Sequence, residues 1–193
     1  MRKALAVIVG LFLSGAAVAE TAARAEPGTA GQAAMRENVE ALMREWSEDL
    51  AYAYLESWSS DNATALSAVA EVFGSKVSFF GRSVAREAVH REKRAFARRW
   101  PVRSYEHRPE TLTIDCSAEQ KACLVRSVIE WKAENPARGT RAAGTATFEL
   151  GIGFAGAKPE VLHEAGEVVR APDRSATRDE PRRWAWARLD GAD

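Results

Sequence analysis

Two cysteines and three histidines are all that a chain of 193 residues offers for disulfide or thiolate–imidazole metal chemistry. His90, His107 and His163 are scattered and there is no second cysteine pair, which excludes a zinc framework of the usual spacing. Net charge is also lacking. The 27 Lys and Arg are matched by 27 Asp and Glu, so no global attraction to nucleic acid or membrane follows. Beyond residue 13 no apolar run is long enough to cross a bilayer, which excludes a multi-span membrane protein. With 13 Gly and 7 Pro the chain is not collagenous, and 46% hydrophobic residues exclude wholesale disorder. What is left is the length of one domain, burying roughly 70% of its unfolded surface.

What is present begins with an address. Arg2 and Lys3 precede an apolar run, residues 4–13, broken only by Gly10. Ala17-Val18-Ala19 then supplies the small residues a signal peptidase accepts. Residues 1–19 read as a secretory signal peptide, cleaved after Ala19, so the mature chain starts at Glu20 in the periplasm or outside the cell. Ten apolar residues are too few to serve as a membrane anchor, and no integral membrane segment is expected in the mature chain. Without Arg2 and Lys3 it carries 25 basic and 27 acidic side chains, a charge of −2. Export gives the cysteines a meaning. Cys116 and Cys123 enclose a polar turn between two alternating runs, and in an oxidising compartment they read as a disulfide. Closing so short a loop stabilises by about 2.5 kcal/mol in the chain-entropy model.

Residues 20–34, rich in Ala and Gly, read as a flexible leader. From 35 to 58, Val39, Leu42, Met43, Trp46, Leu50, Tyr54 and Trp58 mark one apolar stripe of a long helix. A Ser-Ser-Asp-Asn break offers N-caps for a second, shorter helix bearing Leu66, Val69, Ala70 and Phe73, with Gly74 as its stop. A strand over 76–80 and a turn at Gly81 lead to a third helix over 84–100, ended by Pro101. The period then becomes two. Residues 103–115, 123–133, 141–150 and 160–169 are strand candidates of an antiparallel meander. Residues 171–193 read as a linker and a short tail, in which Trp184 and Trp186 share one face between arginines. The domain proper is therefore expected over 35–170.

The expected fold class is α+β: a curved antiparallel sheet of about four to six strands on three helices from the N-terminal half. This order resembles the superfamily of nuclear transport factor two and ketosteroid isomerase, a cone with a pocket between sheet and helices. Trp58-Ser59-Ser60, Phe80-Gly81, Glu92-Lys93-Arg94, Arg99-Trp100-Pro101 and Arg108-Pro109 also resemble a module of secreted bacterial proteins, sometimes attached to peptidase domains. The resemblance implies a ligand pocket and a homodimer through the outer sheet face. It assigns no reaction, because this fold hosts enzymes, binders and scaffolds alike.

Candidate site residues follow from faces. Lys93 lies four residues after Val89 and three before Phe96, within the apolar stripe of the third helix that ends at Trp100. Pointing inward, it suits a ligand carboxylate or phosphate; otherwise its stem covers apolar surface and its ammonium reaches water. Tyr105 and His107 share a strand face with Arg103 and Pro109, which suits an exposed edge. With Trp131, these residues (Lys93, Trp100, Tyr105 and His107) are the ligand-binding candidates. A carboxylate base would have to come from Glu130, Glu149, Glu160, Glu164 or Glu167, none of which parity places beside His107. Gly151-Ile152-Gly153-Phe154-Ala155-Gly156 has the dinucleotide spacing, but a strand rather than a helix follows, so it reads as a Gly-rich hairpin. Residues 82–103 carry a net +6, a solvated helix face or a contact for an anionic partner. The sequence reads as an exported, non-catalytic binding or interaction module for a small anionic or apolar ligand. It assigns no catalytic residue, cofactor, metal or nucleic-acid partner. A small-molecule isomerase or dehydratase is the alternative.

Overall fold

In the computed structural model the described residues are 27–169. The signal segment 1–19, leader residues 20–26 and the tail with Trp184 and Trp186 lie outside them. Helix α1 (Pro27–Ser59) starts before the Met35 expected, so residues 27–34 are helical and not leader. Proline fits the first helical turn, where its missing N–H is not needed, and the following alanines have the highest helix propensity. Asp61 caps helix α2 (Asn62–Val72) by accepting from the N–H groups of Ala63 and Thr64. Strand β1 (Phe73–Phe79) follows directly, so Gly74 is a strand residue and not a helix stop. Phe80 and Gly81, at φ 49° and 77°, form the two-residue turn into β2 (Arg82–Ala85). Helix α3 (Arg86–Arg99) ends before Pro101.

The strand expected over 103–115 is broken by Pro109 into β3 (Val102–His107) and β4 (Thr113–Ser117). Strands β5 (Ala122–Asn135) and β6 (Thr140–Gly153) form the long central pair. The run over 160–169 divides into β7 (Glu160–Ala165) and β8 (Val168–Val169). The sheet is curved and unclosed, in the order β2-β1-β7-β6-β5-β3, with β4 on β5 and β8 on β6. It has eight strands rather than four to six, and β1 pairs β7 in parallel, across the crossover through α3 and the meander. Helices cover one face, giving the cone-like α+β architecture. Cys116 and Cys123 sit opposite each other in the β4–β5 hairpin and are disulfide-bonded.

The core face of α1 is rotated from the stripe read in the sequence. Met43, Ser47, Ala51, Tyr54, Leu55 and Trp58 are buried, while Val39, Leu42 and Trp46 are exposed. Ser47 and Ala51 are small, so the helix comes close enough to the sheet for the Ala51 carbonyl to meet His107.

One irregularity matters for the site. Ile152 pairs Val161 and Gly151 pairs His163, so β7 carries an extra residue, Leu162. This bulge displaces Leu162 and His163 toward the outer face, over glycines. A Cβ on Gly74 would lie 2.6 Å, and one on Gly153 2.4 Å, from Leu162 methyls, and one on Gly151 2.8 Å from His163 Cβ. The Gly-x-Gly of the dinucleotide-like string therefore makes room for a β-bulge. Gly151→Ala should lower stability by about 1–2 kcal/mol, since a Cβ rather than a mobile chain end must give way. A denaturant midpoint unchanged in Gly151→Ala would contradict this reading of the bulge.

Candidate functional site

Helix α3 buries Val89, Lys93, Phe96 and Ala97, so Lys93 points into the cone, as its stripe position predicts. Its ammonium donates to Glu164 Oε1 at 2.7 Å and to Tyr54 Oη at 2.6 Å, and Tyr54 donates to Glu164 Oε2 at 2.9 Å. Lys93 and Glu164 side chains are 6% and 7% exposed. The Lys93 Nζ lies 4.7 Å from the Trp58 ring centroid and 5.3–5.7 Å from those of Tyr54, Phe79 and Phe73, an aromatic box that further favours the cation. Burial pulls the Lys93 ammonium below its ordinary pKa, against the pull of the Glu164 carboxylate. Burial, then the charge of Glu164, holds the Tyr54 phenol well above the usual tyrosine value, so it remains a donor.

Glu164 reaches this position because of the bulge. Val161 is inward, and plain alternation would turn Glu164 outward; the extra residue restores it to the core side. Its carboxylate accepts both bonds and closes a three-membered ionic network.

Beside this network lies a cavity of about 50 Å³, walled by Leu55, Phe80, Phe96, Ile129, Phe148 and Ala165 with Tyr54, Trp58, Lys93, Tyr105 and Glu164. An engineered apolar cavity that admits benzene is roughly three times larger. Phe80 and Ala165 also line an outer groove of about 390 Å³, with Gly81, Thr147, Glu149, Gly166 and Glu167. Two of the lining residues carry a polar group without a full hydrogen bond. The Trp58 indole N–H is buried and makes no full hydrogen bond, although it lies close enough to the Tyr54 hydroxyl to oppose the rise of that phenol's pKa. Among the described residues the Tyr105 hydroxyl makes no hydrogen bond, although its backbone N–H is held by Ser59 Oγ at 2.8 Å. Burial raises the Tyr105 phenol far above its normal pKa, so it too stays protonated.

Of the five candidates, Lys93 and Tyr105 meet in the cavity wall. Strand β3 is the sheet edge, as expected for Tyr105 and His107, but His107 is buried and Tyr105 half-buried, because Arg103 on their face is itself buried. Its guanidinium donates to the carbonyls of Trp58, Ser60 and Trp100 and to Asn62 Oδ1. An arginine that closes helix ends belongs inside, and Tyr105 and His107 follow it, while Pro109 stays exposed. His107 lies beyond the cavity wall, edge-on to Phe148. Its Nε2–H donates to the Ala51 carbonyl at 3.3 Å, so Nδ1 accepts from Ser127 Oγ at 2.7 Å. Trp131 packs on Gly144, and Trp100 caps α3 over the core; neither lines the cavity. Tyr54 and Trp58 were visible in the α1 stripe without being assigned to a site. Glu164 was one of five carboxylates that parity left unplaced.

Burial depresses the His107 pKa below 6.5. On acidification the unfolded chain then takes up this proton before the folded one. Stability should therefore fall as pH drops below about 6.5. Urea midpoints in His107→Gln should lose that slope relative to the natural chain; an unchanged slope would show that another group carries it.

On the outer face of α3, Arg91, Arg94, Arg98 and Arg99 are exposed, while Arg82 grips Glu92. Among the described residues no group of three His, Cys, Asp or Glu is placed to hold a metal ion, and no helix is long and apolar enough to cross a membrane.

No protein-family model and no curated protein matches the sequence. Solved structures do. A proposed scytalone dehydratase from Novosphingobium aromaticivorans superposes with a TM-score of 0.59 at 11% identity, covering 75% of this chain and 96% of that one. A proposed dehydratase of the NTF2-like family from Streptomyces avermitilis gives 0.53 at 13%, over 66% and 97%. An uncharacterised protein with a cystatin-like fold from Caulobacter vibrioides gives 0.52 at 18%, over 64% and 87%. The chain has the NTF2-like cone fold; at these identities the likeness concerns fold alone.

Proposed function

We propose that this chain is an exported, non-catalytic binding module whose cone cavity takes a small, uncharged, mainly apolar ligand with one hydrogen-bond acceptor. The observation that carries this reading is the pairing pattern of the wall. The charged groups are satisfied by each other, and the two polar groups beside them without a hydrogen bond, the Trp58 indole N–H and the Tyr105 hydroxyl, can each donate. A carbonyl or ether oxygen meets both needs, while the apolar body lies against Phe80, Phe96 and Phe148. An anionic ligand would have to compete with Glu164 for Lys93. Both oxygens of Glu164 and both nitrogens of His107 are engaged, which leaves no obvious general base at the cavity. The disulfide and the Ala17-Val18-Ala19 site support export.

The test is a fragment screen by ligand-observed NMR, run beside a turnover screen with ketosteroid, polyketide-like and hydroxy-ketone compounds. Neutral acceptor-bearing fragments should bind unchanged, and Tyr105→Phe should weaken them about tenfold, the worth of one buried hydrogen bond. Product formation abolished by Glu164→Gln would instead establish the isomerase or dehydratase reading.

A further inference from the structure

The N-terminal half of α1 carries an apolar stripe that the described residues leave uncovered. Met35, Val39, Leu42 and Trp46 are 69%, 42%, 57% and 54% exposed, and their spacing sets them on one helix face. Phe154, whose ring centroid is 6.5 Å from that of Trp46, extends the patch. Four large apolar residues in a row on an exposed face are a docking surface rather than scattered surface hydrophobics. Glu45 and Asp49, one residue before and three after Trp46, edge the stripe, and residues 36–49 hold five carboxylates against two arginines.

We propose that residues 182–188 of the same chain dock on this stripe. In an extended segment Arg182, Trp184, Trp186 and Arg188 share one face, two indoles flanked by two cations. The indoles match the apolar stripe, and the cations match Glu45, Asp49 and the other carboxylates of the helix. The lengths agree: six extended steps cover about 20 Å, and the eleven helical steps from Met35 to Trp46 about 16 Å. The connection reaches. Strand β8 ends beside Thr145 of β6, about 27 Å along the strand from Gly153. Residues 170–181 span up to about 40 Å when extended.

The test uses the full chain with p-benzoylphenylalanine at position 186. Irradiation should crosslink it within one molecule, to the tryptic peptide 37–44 or to the one bearing Trp46. Leu42→Asp, a change at an exposed position, should lower the yield by roughly tenfold, and high salt should lower it further. Crosslinks to any other surface, or none, would overturn the proposal. So would a dimer in sedimentation that is lost in Leu42→Asp but kept in Trp184→Ala/Trp186→Ala, since a second copy would then be the occupant.

Discussion

Glu164→Ala should destabilise the fold by about 3–5 kcal/mol, because it strands a buried ammonium. Lys93 is held by two bonds, to Glu164 and Tyr54, inside an aromatic box. Without the carboxylate the ammonium loses its charged partner, and the lysine must lose its proton or open the helix–sheet interface. Lys93→Met should also destabilise, since Glu164 would keep only the Tyr54 bond. The triple replacement Tyr54→Phe, Lys93→Met and Glu164→Met removes every member of the network together. It should fall within about 2 kcal/mol of the natural protein, because a hydrophobic substitute for a whole buried ionic group is often neutral or better. Chemical denaturation of the four proteins measures this directly. A triple variant that lost as much as the two single variants together would mean the groups do not act as one network.

Arg103→Ala should lower stability by about 3 kcal/mol, through carbonyls left without donors. The guanidinium joins the end of α1, the start of α2 and the C-cap of α3. These are the carbonyls that helix geometry leaves unpaired. Arg103→Lys should recover less than half of the loss, because an ammonium lacks the planar fork that addresses several acceptors. Thermal melts of both variants decide it. A lysine variant as stable as the natural protein would show that charge, not geometry, matters here.

How much of this was legible in the sequence depends on how regular each element is. Lys93 was readable because α3 is an unbroken helix, and its period holds from Val89 to Ala97. The disulfide hairpin was readable because β4 and β5 pair without a shift. Glu164 was not readable. The bulge at Leu162 reverses parity within β7, and only the pairing with its neighbours β6 and β1 reveals it. The glycines that accommodate the bulge were present as a signal, but their string matched a nucleotide motif more closely than a β-bulge. Tyr105 and His107 were placed outside because Arg103 was taken as a surface charge, when it closes the helix ends. The face of α1 is rotated from its apolar stripe for the opposite reason: Val39, Leu42 and Trp46 lie in solvent, while the small Ser47 and Ala51 are buried between Met43 and Tyr54.

The measurement that bears most directly on the cavity is the ¹H–¹⁵N resonance of the Trp58 indole during titration with acetone, cyclopentanone and cyclohexanone. The indole N–H makes no full hydrogen bond, so a bound carbonyl should move its proton downfield in a saturable way. Tyr105→Phe should weaken that response, and the charged analogue cyclopentanecarboxylate should not produce it. The response should diminish as the ring outgrows the cavity, unless Phe80 yields toward the outer groove. A Trp58 signal unmoved by every ketone, or moved more strongly by the carboxylate, would contradict the account of the cavity as a site for a neutral acceptor.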